Sequence, residues 1–530
     1  MAGEKTVSKV GRPTVEFEMQ ATNRYAWLDE KRGALMSGGG ADKLAKQHAR
    51  GKLGARERLA LLFDDDTFLE AGLWARHRCA ALEGKELPAD GVVTGKGQVD
   101  GRPVMAYSQD FTVGGGAVGE RHAAKVVECL QRALRMGIPV VGFNDSGGAR
   151  IQEGVQALSG YGRIFYFNTM LSGVVPQISV VAGPCAGGAA YSPALTDFVI
   201  MVDRTSHMFI TGPEVIRAAT GENIAEEDLG GATVHATISG NVHLVASDER
   251  DAVSLVRRLL QYLPPNNLES PPDAVFDEPL VDDSLLDRAI PDDPRQPYDV
   301  RTIIARLADR ADFFELQPAF APNIVIGFGR MGGMVVGFVA NQPSFMAGAL
   351  DINASDKASR FIRTCNVYNI PLVTLVDVPG FLPGVAQEHG GIIRHGAKML
   401  FAYSSATVPK LTVVLRKAYG GSYLAMCSKD LGADIVLAWP TAEVAVMGPE
   451  AAARVVHKGS SKDSGGGPPF ESLIQAYREE HANPFRAAES LQVDDVIRPA
   501  WTRRLLIEWL DTVRSKRVLR PQKKHGNIPM

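Results

Sequence analysis

Two short stretches place paired glycines where backbone amides can hold an anionic oxygen. Pro184-Cys185-Ala186-Gly187-Gly188-Ala189-Ala190-Tyr191 follows an apolar run at 178–182, and Arg416-Lys417-Ala418-Tyr419-Gly420-Gly421-Ser422-Tyr423 follows another at 410–415. Glycine permits a tight turn and lets another molecule approach the backbone closely. The amides of Gly187 and Gly188, opening the next helix, are expected to face whatever lies above the sheet. Donors fixed there stabilise charge on an oxygen better than water, because they need no reorganisation. A lone Gly-Gly is explained equally well by close helix–strand packing. The second pair turns the reading toward function and suggests two carbonyl oxygens handled in one reaction.

Other motifs are less specific. Asp145-Ser146-Gly147-Gly148-Ala149-Arg150 lacks the Gly-Lys-Ser/Thr of a phosphate loop. It reads as a strand-end loop walling the same cleft, matched by Asp377-Val378-Pro379-Gly380-Phe381, with Asp145 and Asp377 expected to cap helices. Gly114-Gly115-Gly116, followed by Arg121, His122 and Lys125, suits a phosphate-bearing ligand at a helix start, or equally an exposed helix face. His122, His389 and His395 have neither ligand spacing nor an adjacent nucleophile, so no metal is expected. Cys79, Cys129, Cys185, Cys365 and Cys427 form no C-x-x-C pair and read as buried small hydrophobes in a reducing cytosol.

The elements that must position these residues occur twice. Pro139 and Pro371, Asp145 and Asp377, and Gly95, Gly97, Gly101 and Gly327, Gly329, Gly333 are each 232 residues apart; Pro176/Pro409 and Gly187/Gly420 are 233 apart. A register held through strands and turns means two copies of one fold. Each copy alternates short apolar strands with helices, the pattern of parallel strands with crossover helices. Strands are expected at 140–144, 177–182 and 198–202, with a helix at 161–171. The second copy repeats these as strands at 372–376, 410–415 and 435–439 and a helix at 392–403. A hairpin is expected over 92–107, and helices at 470–480 and 501–515. Residues 41–63 read as an amphipathic helix or helical pair broken near Gly51 and Gly54, its basic face solvated. Residues 1–40 read as a partly ordered arm and 459–467 as a mobile loop. The proline-rich stretch 263–298 joins domains placed at 1–285 and 286–530.

A chain of 530 residues with net charge −3 and 22% charged residues is globular, with nothing that points to nucleic acid or an anionic membrane. No run approaches the roughly 18 apolar residues of a membrane span, and no signal peptide stands at the start, so a cytoplasmic protein is expected.

Six segments together resemble the carboxyltransferase (beta) chains of acyl-CoA carboxylases, nearest the propionyl-CoA type. They are Ala-Gly-Gly-Ala-Ala-Tyr-Ser-Pro-Ala (186–194), Met-Phe-Ile-Thr-Gly-Pro (208–213), Asp-Val-Pro-Gly-Phe-Leu-Pro-Gly (377–384), Arg-Lys-Ala-Tyr-Gly-Gly-Ser-Tyr (416–423), Ala-Trp-Pro-Thr-Ala-Glu-Val-Ala-Val-Met-Gly (438–448) and Lys-Lys-His-Gly-Asn-Ile-Pro-Met (523–530). The resemblance implies an α/β fold, a tandem duplication of a crotonase-like (ClpP/crotonase) β-β-α superhelix domain. It also implies a homohexamer, a dimer of trimers, with sites between the amino-terminal half of one chain and the carboxy-terminal half of another. Gly187 and Gly188 would hold the acyl-CoA thioester oxygen, and Gly421 and Ser422, with Gly420 and Tyr423 beside them, the ureido oxygen of biotin. Gly147, Gly148, Arg150, Arg121, Lys125 and Leu424 would contact the acyl-CoA. Carboxybiotin would release CO2, the biotin anion would take the α-proton, and the enolate would attack CO2 without a side-chain base.

No Met-Lys-Met biotinylation signal and no ATP loop occur here, which implies a partner alpha subunit carrying biotin carboxylase and biotin carboxyl carrier. Propionyl-type chains carry aspartate where this one has Leu424, so acetyl-CoA or longer acyl-CoAs stay open as substrates beside propionyl-CoA. Gly390 and the glycine-rich 459–467 stretch are further departures. Three other readings stand: a biotin-dependent decarboxylase chain, a crotonase-type CoA hydratase or isomerase, and a silent scaffold subunit.

Overall fold

The computed structural model describes residues 15–456 and 470–530. The stretch 459–467 lies outside them. The first half builds one eight-stranded sheet from β1 (Leu69–Ala71), β2 (Val92–Val99), β3 (Arg102–Gln109), β4 (Val140–Ser146), β5 (Gln177–Ala186), β6 (Phe198–Val202), β7 (His207–Phe209) and β8 (Leu244–Ala246). The order is β1-β2-β3-β4-β5-β6-β8, with β7 beside the far end of β5. The first three strands are antiparallel; from β3 onward all are parallel.

The second half uses β9 (Phe313–Leu316), β10 (Ile324–Met331), β11 (Met334–Asn341), β12 (Leu372–Val378), β13 (Lys410–Tyr419), β14 (Ile435–Ala438), β15 (Glu443–Ala445) and β16 (Asp495–Val496). Its order is β16-β14-β13-β12-β11-β10-β9, with β15 beside β13. Register repeats as well as order: Met105 faces Val140 and Gly337 faces Leu372, while Val140 faces Gln177 and Leu372 faces Lys410. Both central strands are buried along their whole length, because helices cover both faces of a parallel sheet.

The predicted central strands form but run longer. β5 continues to Ala186 and β13 to Tyr419, each past a register shift beside the end of its neighbour, so both carry the chain up to the glycine turn. The amphipathic stretch becomes two helices, Ala41–His48 and Ala55–Leu62. The arm expected over 1–40 contains a helix instead, Val15–Met36. Residues 261–299 contain nothing longer than the single turn Leu286–Arg288, and we place the division between the halves there, at 285/286.

The halves share one hydrophobic cluster. Phe328 meets Phe198 edge-on at 6.2 Å and stacks on Tyr262 at 5.8 Å, and Tyr262 stacks on Phe314 at 5.7 Å. Aromatic pairs at such spacings add to the burial of their area. Tyr368 of the second half donates to Asp197 of the first at 2.6 Å. No helix among the described residues is long and apolar enough to cross a membrane.

Candidate active site

Both glycine turns form at the ends of β5 and β13, and their first glycine is required by conformation. Gly187 has φ 60° and Gly420 φ 59°, a left-handed geometry that β-carbon-bearing residues adopt only with strain. From there the chain enters Gly188–Ala194 in the first half and Gly420–Ala425 in the second. The opening N–H groups of a helix have no acceptor within it, so each turn aims donors past the sheet edge.

The first donor pair needs correction. The Gly187 amide donates to Phe209 O at 3.0 Å and is not available to a ligand. The helix that opens with Gly188 supplies donors one residue later, from Gly188 and Ala189, with the Ala190 amide closing back onto Gly187 O at 3.1 Å. By the 233-residue offset this pair matches Gly421 and Ser422, the second pair as predicted. A β-carbon on Gly421 would meet no atom within 4 Å, so the backbone there faces open space. The Ser422 hydroxyl is turned away, donating to Tyr419 O at 2.7 Å. The Tyr423 ring is buried in the core, which leaves only its backbone at the turn.

Four predicted contact residues are overturned or narrowed by their surroundings. Arg150 is buried and held by Asp90 (2.7 Å), Glu153 (2.8 Å) and Ala117 O (3.0 Å), so it braces its own loop. Lys125 is buried, donates to Ala89 O at 2.8 Å and to Val92 O, and burial pulls its ammonium down to about 8. Its repeat partner Lys357 grips Ala321 O and Ile324 O, the repeat partners of those carbonyls, which makes both lysines sheet-edge clamps. The amides of Gly147 and Gly148 are occupied by Gly115 O (3.0 Å) and Ser146 Oγ (3.1 Å), so this loop contributes shape. Arg121 is half-buried and in no ion pair among the described residues, and Leu424 is 39% exposed beside the second turn.

Asp145 and Asp377 cap no helix. Each is a buried carboxylate at the strand end, between its two loops. Arg416 Nε donates to Asp377 at 2.9 Å, and Lys52 and Arg58 donate to Asp145 at 2.7 and 2.8 Å. Burial raises the Asp377 pKa against the pull of Arg416. The basic face of 41–63 is therefore only partly solvated: Lys43, Lys46 and Arg50 are exposed, while Lys52 and Arg58 turn inward. Arg416, at the repeat position of Gly183, was the available signal that Asp145 also needed a cation.

Behind Asp145 the network fixes a neutral imidazole. Gln109 Oε1 accepts from the Asp145 amide at 2.9 Å, which points its NH2 at His122 Nε2 (3.2 Å) and leaves Nδ1–H to donate to Asp90 O at 3.0 Å. Burial, then Arg150 and Lys125, push His122 down to about 3; burial does the same for His243. Both are neutral when folded yet protonate near 6.5 when unfolded. Stability is therefore complete above pH 6.5 and falls as pH drops toward 3, by about 1.4 kcal/mol per pH unit for each histidine. Urea midpoints at pH 7 and pH 5 should show this loss, and His122→Gln should lessen it.

Among the described residues no cluster of His, Cys, Asp or Glu could hold a metal. A model of the carboxyl transferase domain matches residues 46–528. The chain belongs to the carboxyl transferase family. Relatives are similar over their whole lengths: the methylmalonyl-CoA decarboxylase alpha subunit of Veillonella parvula is 56% identical across 95% of this chain and 98% of its own. The carboxyltransferase subunit of propionyl-CoA carboxylase from Haloferax mediterranei is 53% identical across 97% and 100%. The transcarboxylase 12S crystal structure, described as a hexamer assembly with methylmalonyl-coenzyme A and methylmalonic acid bound, superimposes with TM-score 0.94 at 52% identity, covering 98% of this chain and 99% of that one. The tandem crotonase-like duplication is thus the fold of this carboxyl transferase.

Proposed function

We propose that this chain is the carboxyltransferase subunit of a biotin-dependent acyl-CoA carboxylase, acting on a short acyl-CoA and working as a hexamer with a separate biotin-carrying subunit. One observation carries the reading: each half presents a helix-opening amide pair after the equivalent strand of its own sheet, Gly188/Ala189 after β5 and Gly421/Ser422 after β13. Biotin, brought by its carrier, supplies the carboxyl group to be moved. The open space at Gly421 fits a ring approaching that turn, where the Gly421 and Ser422 amides hold its ureido oxygen. The Gly188 and Ala189 amides would hold the thioester oxygen, so negative charge gathers there as the enolate forms, its α-proton passing to the biotin nitrogen that has given up its carboxyl group as CO2. Asp145, the carboxylate beside the first turn, is neutralised by Lys52 and Arg58, which disfavours it as the free base a hydratase or isomerase requires. With Arg150 and Lys125 engaged, the cations open to the phosphates of CoA include Arg121 and a group of three, Lys43, Lys46 and Arg50, and none of the four is in an ion pair among the described residues. The three line a pocket of about 170 Å³ with Phe111.

The purified chain should move the carboxyl group of methylmalonyl-CoA to free biotin; no transfer from malonyl- or methylmalonyl-CoA would leave only the scaffold reading. With the carrier partner and a series of acyl-CoAs, Leu424→Asp should shift preference toward propionyl-CoA by roughly tenfold, the range of small pocket changes. An unchanged profile removes Leu424 from specificity. A second reading, physiological decarboxylation, is favoured by the identity to the Veillonella parvula subunit. A partner with ATP-dependent biotin carboxylase activity decides for synthesis.

A further inference from the structure

One carboxylate stands between both glycine loops of the first half, and its cations come from outside the sheet. Asp145 is the penultimate residue of β4, just before Ser146-Gly147-Gly148, and a β-carbon on Gly183 of β5, four residues ahead of Gly187, would run into its carboxylate and into Lys52 Nζ. Lys52 Nζ donates to Oδ1 at 2.7 Å, Arg58 to Oδ2 at 2.8 Å and Gln47 Nε2 to Oδ2 at 3.3 Å. Arg58 also grips Glu249 at 2.7 and 2.8 Å. All these side chains are buried.

The second half solves the same problem differently. Asp377 is held by Arg416 Nε at 2.9 Å and by the Lys417 amide at 3.1 Å. Arg416 is the repeat partner of Gly183, so the second half takes its cation from its own strand. The first half imports one from the segment joining helices Ala41–His48 and Ala55–Leu62.

We propose that Lys52, supported by Arg58, is a positioning residue. It ties the amino-terminal helices to the carboxylate that spaces the two glycine loops, and so sets the aim of the Gly188 and Ala189 amides. Charge-assisted bonds in a buried site are strong and directional, and a neutral side chain at 52 leaves both loops free to relax. The effect on catalysis rests on the acyl-CoA reading above; the effect on loop order does not.

The full chain is compared as wild type, Lys52→Met, Lys52→Arg and Lys52→Met/Asp145→Asn by hydrogen exchange and by carboxyl transfer from methylmalonyl-CoA to free biotin. Lys52→Met should speed exchange about tenfold in peptides covering 146–150 and 183–190, and less than about twofold in 378–384 and 417–424. It should lower kcat about 30-fold while the KM for biotin stays within about twofold, and Lys52→Arg should recover most of that loss. If Lys52→Met does not fold, the double variant, which restores charge balance, should melt near wild type yet keep the fast exchange and low kcat. Equal loosening of both halves overturns the proposal. So does a double variant with wild-type exchange and kcat, since Lys52 would then only balance charge. If the wild type transfers from neither malonyl- nor methylmalonyl-CoA, the functional reading falls, and the exchange comparison still decides the tether.

Discussion

Gly421→Pro should lower kcat for carboxyl transfer by about 10²–10³-fold, the usual cost of deleting one fixed donor at a developing oxyanion. The substitution suits this position. Gly421 is the second residue of its helix, where proline's fixed φ is compatible and no intrahelical hydrogen bond is lost. A β-carbon there meets nothing within 4 Å, so the fold should tolerate the ring and only the N–H disappears. Gly421→Ala keeps that N–H and should lose far less activity. Circular dichroism and melting establish that the proline variant is folded, and steady-state kinetics with free biotin then read the loss. Equal activity in the two variants would remove the Gly421 amide from the mechanism. A rise in the KM for biotin with kcat unchanged would assign it to binding alone.

Arg58→Met should be the most destabilising change, on the order of 3–5 kcal/mol, because it breaks a buried ion-pair network from one side. Arg58 is wholly buried and joins Asp145 and Glu249, residues far apart in sequence that lie under the first site. Burial alone lowers its pKa, but the two carboxylates outweigh that and hold it above the usual arginine value. Without it, one carboxylate of the network lacks its cation while Lys52 still serves Asp145. Replacing Glu249 as well, in Arg58→Met/Glu249→Gln, restores the balance and should recover part of the loss in urea or thermal unfolding. A double variant no more stable than the single would place the loss in packing of the arginine stem instead.

Much of this protein was legible in its residues because the same constraints are written twice. The 232-residue spacing of Pro139/Pro371 and Asp145/Asp377 reports one backbone path used two times, and it located both sheets and both turns. Apolar runs with intervening helices gave parallel strands, since a strand buried on both faces carries a nearly continuous apolar run. The glycines at 187 and 420 were readable as turns because few other residues accept their φ.

What the chain could not announce was the destination of its charges. Arg150, Lys125, Lys52 and Arg58 are all cations in polar stretches, and spacing does not separate one bound to a ligand from one bound to a buried carboxylate or carbonyl. That depends on partners such as Glu249, 191 residues from Arg58. Nor could it show that Phe209 takes the Gly187 amide, because β7 pairs with β5 only after the chain has passed through helix Gly188–Ala194 and β6. The order of strands and the glycine turns follow from local stereochemistry and burial, which a sequence carries directly. The choice of open amides and working cations follows from long-range pairing in a low-dielectric interior, which only the folded chain defines.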